Sequence, residues 1–343
     1  MKKITLVLIA VTGLLQLKAQ QKPYYTQYIL NNYILNPALS GIENYTDVKI
    51  SYRNQWTGID GAPVSTYLSI QGPVNKKDYR TNATSFEVPG ENPRGKQYWE
   101  QYTAPEPHHG IGMMIMNDKT GYLNRYSVYA TYAYHKPLGI KTTLSMGFLG
   151  GISGVNLDRS KIVWGNLDPN DPAIGYNDGE LKKIRPEVGA GLWLYSRDYF
   201  LGASVLNIIP GKAKFVNNDI YGGVFVPHIF LNGGYRFQLN EDVSLLPSAT
   251  VQWINPEPVQ IAGNAKLQYQ DKAWIGASYR FTDELGGFAA MAGINIPNAF
   301  NISYAYDVAT NSRLRTYTRN THEIMIGFLL GNKYSDSCPR NNW

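Results

Sequence analysis

The chain has 343 residues, 43% hydrophobic, 13% aromatic and only 17% charged, with 33 Gly, 26 Tyr and a formal charge of +6. That charge is too small, and its Lys and Arg too dispersed, for a nucleic-acid surface, and a single cysteine, Cys338, excludes an intramolecular disulfide framework. Beyond the N-terminus no stretch approaches the ~18 consecutive apolar residues of a membrane helix, so the aromatics and glycines point to strands and turns.

In chain order, Lys2 and Lys3 precede an apolar run from Ile4 to Leu17, and Leu17-Lys18-Ala19 offers small-residue cleavage chemistry before Gln20. Residues 1–19 therefore read as an export signal, too short for the ~20-residue span of a membrane helix. No cysteine adjoins the cleavage site for lipid attachment, so the mature chain is expected to start at Gln20 or Gln21, beyond the inner membrane. Residues 20–45 form the next unit. Tyr24, Tyr25, Tyr28, Ile29, Leu30, Tyr33, Ile34 and Leu35 are too apolar to be left in water. The segment is expected either to plug the fold built by the residues after 45 or to dock on another protein.

From residue 46 the apolar period is two. Val48, Ile50 and Tyr52 alternate with Lys49, Ser51 and Arg53; Ile261, Gly263, Ala265, Leu267 and Tyr269 alternate with Gln260, Ala262, Asn264, Lys266 and Gln268. The runs exceed the ~5–6 residues of an ordinary strand and suit a tilted strand that crosses a bilayer. About fourteen such runs occur, beginning near Thr46, Val64, Gly110, Tyr122, Ile140, Pro186, Tyr199, Pro227, Asp242, Val259, Lys272, Gly286, Ala299 and Thr321. The predicted fold is all-β: a transmembrane antiparallel barrel of about 14 strands over 46–330, with a tail at 331–343. Tyr122, Trp253, Tyr269, Trp274 and Tyr306, near strand ends, are expected to form interfacial girdles. A secreted β-sandwich or propeller would also alternate, but with shorter strands. If both termini are periplasmic, the long segments 157–185, 208–226 and 307–320 fall outside and the connections near 196–198, 238–241, 270–271 and 297–298 inside, as in bacterial barrels. The connection 75–107 breaks this rule, because it is long and periplasmic.

Several motifs along this chain resemble the PorP/SprF family of outer-membrane proteins, associated with type IX secretion in Bacteroidetes. They are Gln27-Tyr28, Asn36-Pro37-Ala38 with Gly41, Arg53/Gln55/Trp56, Gly61/Pro63, Asn117-Asp118 with Gly121, His322-Glu323-Ile324-Met325, and Cys338-Pro339 ending in Trp343. Asn54 inserts a residue into the simple Arg-Gln-Trp spacing, and 75–107 is longer than the pattern. The resemblance implies a barrel that assists secretion of particular substrates, gliding adhesins included, and their anchoring at the surface. It implies no catalysis and no cofactor. Implied partners are outer-membrane lipids, the C-terminal region of an adhesin-type substrate, and periplasmic or lipoprotein secretion components.

No nucleophile, acid pair or phosphate loop emerges from the residues themselves. Asp168, Asn170 and Asp171 are the one weak calcium candidate; Pro169 and Pro172 interrupt it, and turn formation explains it equally well. His108-His109 reads as a polar turn, and Gly147–Gly154 as small residues that let neighbours approach. Lys49, Arg53, Lys266, Arg280 and Glu323 fall on the polar phase and should face the lumen, either filling it or lining a channel. Partner-binding candidates are Tyr24, Tyr25, Tyr28, Tyr33, Asn36, Pro37, Tyr98, Trp99, Tyr102 and Trp343, all in the segments 20–45, 75–107 and 331–343 outside the strand run, most of them aromatic.

Overall fold

A computed structural model describes residues 28, 30–76, 104–157, 182–209, 211–213, 223–240, 242–255, 258–269, 272–281, 287–296, 300–309 and 316–331. The wall begins with β1 (Thr46–Asn54), β2 (Val64–Val74), β3 (His108–Thr120), β4 (Leu123–Pro137), β5 (Thr143–Leu157), β6 (Lys182–Tyr195) and β7 (Tyr199–Leu206). A small hairpin, β8 (Gly211–Ala213) with β9 (Gly223–Phe225), interrupts it. The wall resumes with β10 (His228–Tyr235) and β12 (Val243–Ile254), between which the two-residue β11 (Phe237–Gln238) pairs with β12. It continues through β13 (Gln260–Tyr269), β14 (Ala273–Arg280), β15 (Gly287–Ile296) and β16 (Phe300–Ala309) to β17 (Thr321–Leu330). Leaving out β8, β9 and β11, fourteen antiparallel strands close the barrel. The seam is β1 against β17, with Arg53 opposite Glu323.

The strand period sorts the side chains into two faces. Ile50, Ile111, Phe148, Leu201, Leu231, Ile275 and Leu330 point outward and are exposed, a set that water would penalise and lipid accepts. Tyr67, Met114, Tyr129, Trp193, Phe230 and Met325 are buried inside. Of the expected girdle, Tyr122, Trp253 and Tyr269 are exposed on the outside, but Trp274 is not: it is buried in the lumen beneath Lys266, whose Nζ lies 5.3 Å from the ring centroid. Its position in the chain shares the phase of Ser278 and Arg280, which also point inward, and that phase outweighs its nearness to a strand end. The wall is uneven. Strands β4 and β5 have 15 residues each while β7 and β10 have 8 each, a difference of roughly 20 Å at ~3.3 Å per residue.

Before β1 the chain runs inside the barrel, through two 3-10 turns at Asn32–Ile34 and Pro37–Leu39. Tyr28, Tyr33, Ile34, Ala38, Leu39 and Ile42 form one buried cluster with Met114, Leu149, Trp193 and Phe230 of the wall. The described part of this segment is a plug. It fills the lumen from the end that carries the connections 138–142 and 196–198, called here the plug end; the opposite end is the loop end.

Candidate functional site

The site is the lumen: a plug, a cavity above it and a buried charge network beside it. Local sequence explains the plug's shape. Asn36 caps the second turn, its Oδ1 accepting from the Ala38 amide at 3.0 Å, and Pro37 at the first helical position has no amide to leave unpaired. Gly41 has φ +74°, where a side chain is strained, and a Cβ there would lie 2.4 Å from the Gly110 Cα. The wall makes room in the same way. A Cβ on Gly147 would lie 2.3 Å from the Ala38 nitrogen, and one on Gly191 2.0 Å from Asn36 Oδ1. Gly147 thus serves the plug, whereas Gly151 crowds the neighbouring strand, with a Cβ 2.1 Å from the Val128 carbonyl.

Hydrogen bonds fix the plug to successive strands. Asn31 Nδ2 donates to Ser69 Oγ at 3.0 Å on β2, and Gln71 Oε1 accepts from the Gly41 amide at 2.5 Å. On β4, Thr131 shares a 2.6 Å bond with Tyr33 and accepts from Ser40 Oγ at 2.8 Å. Ser145 of β5 donates to the Ala38 carbonyl at 2.6 Å, and Ser204 of β7 to that of Leu35 at 2.6 Å. Asn36 Nδ2 donates to the Leu192 and Ala203 carbonyls at 3.0 and 3.3 Å, bridging β6 and β7. Across the lumen, Asn264 donates to the Tyr28 hydroxyl at 2.6 Å. Burial pushes the Tyr33 phenol up to about 12, against the opposing effect of its hydrogen bonds to Thr131 and Ser40, so it stays neutral.

His108 and His135 stand at this same level, and they correct the polar-turn reading. His108 starts β3 and pairs in register with His135 of β4, and both rings are fully buried and stacked at 4.4 Å. His135 Nε2 lies 2.7 Å from the Ser40 carbonyl, its Nδ1 3.1 Å from the Tyr195 hydroxyl. Only the strand register brings these histidines together, and nothing in their linear spacing reveals it.

The strand charges lie on the buried face. Arg53 is 3.6 Å from Asp307 and 3.9 Å from Glu323, while Arg280 reaches Asp307 at 2.5 Å. Ser51 donates to Glu323 at 3.3 Å, and Lys49 pairs with Asp47 at 2.6 Å. A second network centres on Glu187, which accepts from the Tyr129 hydroxyl, from Ser153 at 2.5 Å and from Arg185 at 2.8 Å. Between the Glu187 network and the plug is a cavity with an empty volume of about 850 Å³ including its open mouth, mostly apolar and lined on the plug side by Tyr28, Ile34 and Leu35.

Of the partner-binding candidates, the structure places Tyr28, Tyr33, Asn36 and Pro37 inside the barrel, where they build the plug and offer no free surface. The physical reason is that their apolar bulk and capping groups are satisfied by the wall. Tyr24, Tyr25, Tyr98, Trp99, Tyr102 and Trp343, like the calcium candidates Asp168, Asn170 and Asp171, lie outside the described residues. Among the described residues, no group of three or more His, Cys, Asp or Glu side chains could hold a metal ion.

A closed fourteen-strand barrel with an apolar outer face, an inner face that carries the buried charges, and an internal N-terminal plug is an outer-membrane protein. Its sequence specifies the family further. The chain belongs to the PorP/SprF family of type IX secretion system membrane proteins, whose profile matches residues 17–328. No curated protein matches it. Similar solved structures include the Acinetobacter baumannii outer membrane protein Omp33, 10% identical with a TM-score of 0.45 over 85% of this chain and 100% of that one. The Ralstonia pickettii toluene transporter TbuX is 12% identical, with a TM-score of 0.45 over 87% and 91%. The Pseudomonas putida toluene transporter TodX is also 12% identical, with a TM-score of 0.44 over 90% and 93%.

Proposed function

We propose that this protein serves type IX secretion as a closed, non-enzymatic accessory barrel that assists export and surface anchoring of particular substrates, gliding adhesins among them. The observation that carries this reading is the plug. Its hydrogen bonds to β2, β4, β5, β6, β7 and β13 hold Tyr28 and residues 30–42 across the space a polypeptide would need. A barrel so filled acts through its two ends. The loop end faces the exterior and receives the C-terminal region of the substrate. The plug end faces the periplasm, where 20–27, 75–107 and 331–343 meet periplasmic or lipoprotein components through Tyr24, Tyr25, Tyr98, Trp99, Tyr102 and Trp343, residue types that anchor interfaces.

The test pairs conductance with secretion. Purified protein in planar bilayers should give no sustained conductance, and a strain lacking it should lose specific proteins from its surface and medium. Sustained open conductance of the intact chain would overturn the closed reading and favour a transport channel. An unchanged set of secreted and surface proteins would overturn the accessory role.

A further inference from the structure

We propose that the cavity above the plug is a binding site for a small, neutral, apolar molecule. Like small-molecule sites in general, it is concave and lined mainly by apolar side chains, with a few polar groups among them. Its lower walls are Met114, Met116, Leu149 and Phe230, over a floor that includes Tyr28 and Leu35. Thioethers and aromatic rings together adapt to guests of varied outline. The plug closes the bottom, so the cavity is a dead end and holds a guest instead of passing one.

The charges around the cavity decide the guest's class. Glu187 accepts three hydrogen bonds from the protein itself, from Tyr129, Ser153 and Arg185. Asp118 accepts from Ser65 at 2.6 Å and lies opposite Arg125 in the β3–β4 register. Two acids thus stand with two arginines, and their charges balance within the wall. A charged guest would have to compete with groups of opposite sign that already face these side chains, whereas an uncharged one meets apolar side chains and neutral polar groups such as Thr250 and Gln252. Because Tyr28, Ile34 and Leu35 belong to the plug, the guest rests directly on it, and binding stabilises the plugged form.

The protein is assembled into lipid nanodiscs and titrated with the neutral fluorophore N-phenyl-1-naphthylamine. A saturable fluorescence rise, displaced by toluene or decanol and accompanied by a higher unfolding temperature, is expected. Leu149→Trp fills the cavity and Met116→Glu places an unpaired charge on its wall. Each should weaken binding roughly tenfold or more, while Ile261→Trp on the outer face leaves it unchanged. Heat-modifiable migration reports whether each variant still forms a barrel. A signal that both cavity variants leave intact, or that Ile261→Trp weakens equally, overturns the site. The same holds if intact protein shows a signal neither in nanodiscs nor after delipidation into amphipol. Binding in nanodiscs assigns the guest to free small molecules; binding only after delipidation assigns it to the acyl chains of membrane lipid. Secretion phenotypes report on the accessory role and probe binding on this site, so either can fail alone.

Discussion

Asn36 uses one carboxamide for three bonds: it caps the turn at Ala38 and ties β6 to β7 through the Leu192 and Ala203 carbonyls. Asn36→Ala removes all three from a buried site, and the expected cost is about 1–3 kcal/mol, borne by the plug more than by the wall. Thermal unfolding should fall modestly, and bilayer recordings should show brief openings absent from the parent. Gly147→Val acts by space instead of bonding. Its Cβ would meet the backbone at Ala38, so the plug must shift while the outward-facing surface is untouched. Limited proteolysis after residue 28 should then become faster, with heat-modifiable migration retained. The Asn36-Pro37-Ala38 motif and Gly41 are legible in the sequence as a pattern. Their employment as a wedge is not, because it depends on glycines on β3, β5 and β6 that only the closed wall brings opposite them.

Alternation along β13 is the clearest case of a strand readable from its residues. Ile261 is exposed on the outside, while Ala262, Asn264, Lys266 and Gln268 are buried within. Ile261→Arg should impair membrane assembly by about 2–4 kcal/mol if it sits near the bilayer midplane, and Gln260→Arg, one residue away on the other face, much less. The heat-modifiable fraction in outer-membrane preparations measures both. All fourteen wall strands start within four residues of their expected positions, the largest shift being β6, at Lys182 rather than Pro186. Period-two patterning survives in sequence because each face meets a different solvent. The hairpin of β8 and β9 and the two-residue β11 escape such a reading, since three residues or fewer carry no period. Trp274 escapes it because a strand-end position suggests a girdle while its phase points inward.

At the scale of the molecule, the unequal connections give the barrel an orientation to test. In a Cys338→Ser background, cysteines at Asn177, Asn217 or Asn311 should react with a membrane-impermeant reagent on intact cells, and one at Ser196 should not. The reverse pattern would invert the topology. The connection at 75–107 makes a separate claim, since a periplasmic turn needs only a few residues. Replacing 77–105 by a short Gly/Asn turn should leave an assembled barrel yet abolish secretion or surface attachment of its substrates. Normal secretion by that variant would make the segment a tolerated insertion.

The seam between β1 and β17 joins the first and last strands of the wall, and the plug precedes β1 in the chain. Most plug anchors lie on β2 to β7, the early part of the wall, and few on the strands that close it. A finished cylinder would have to admit this segment past Gly110, Gly147 and Gly191 with almost no clearance. The expected order of assembly follows from that tightness: the early strands should curl around the segment that precedes them, and β17 should close a barrel already filled, so a chain whose β17 cannot pair with β1 should still protect residues 30–42 from protease.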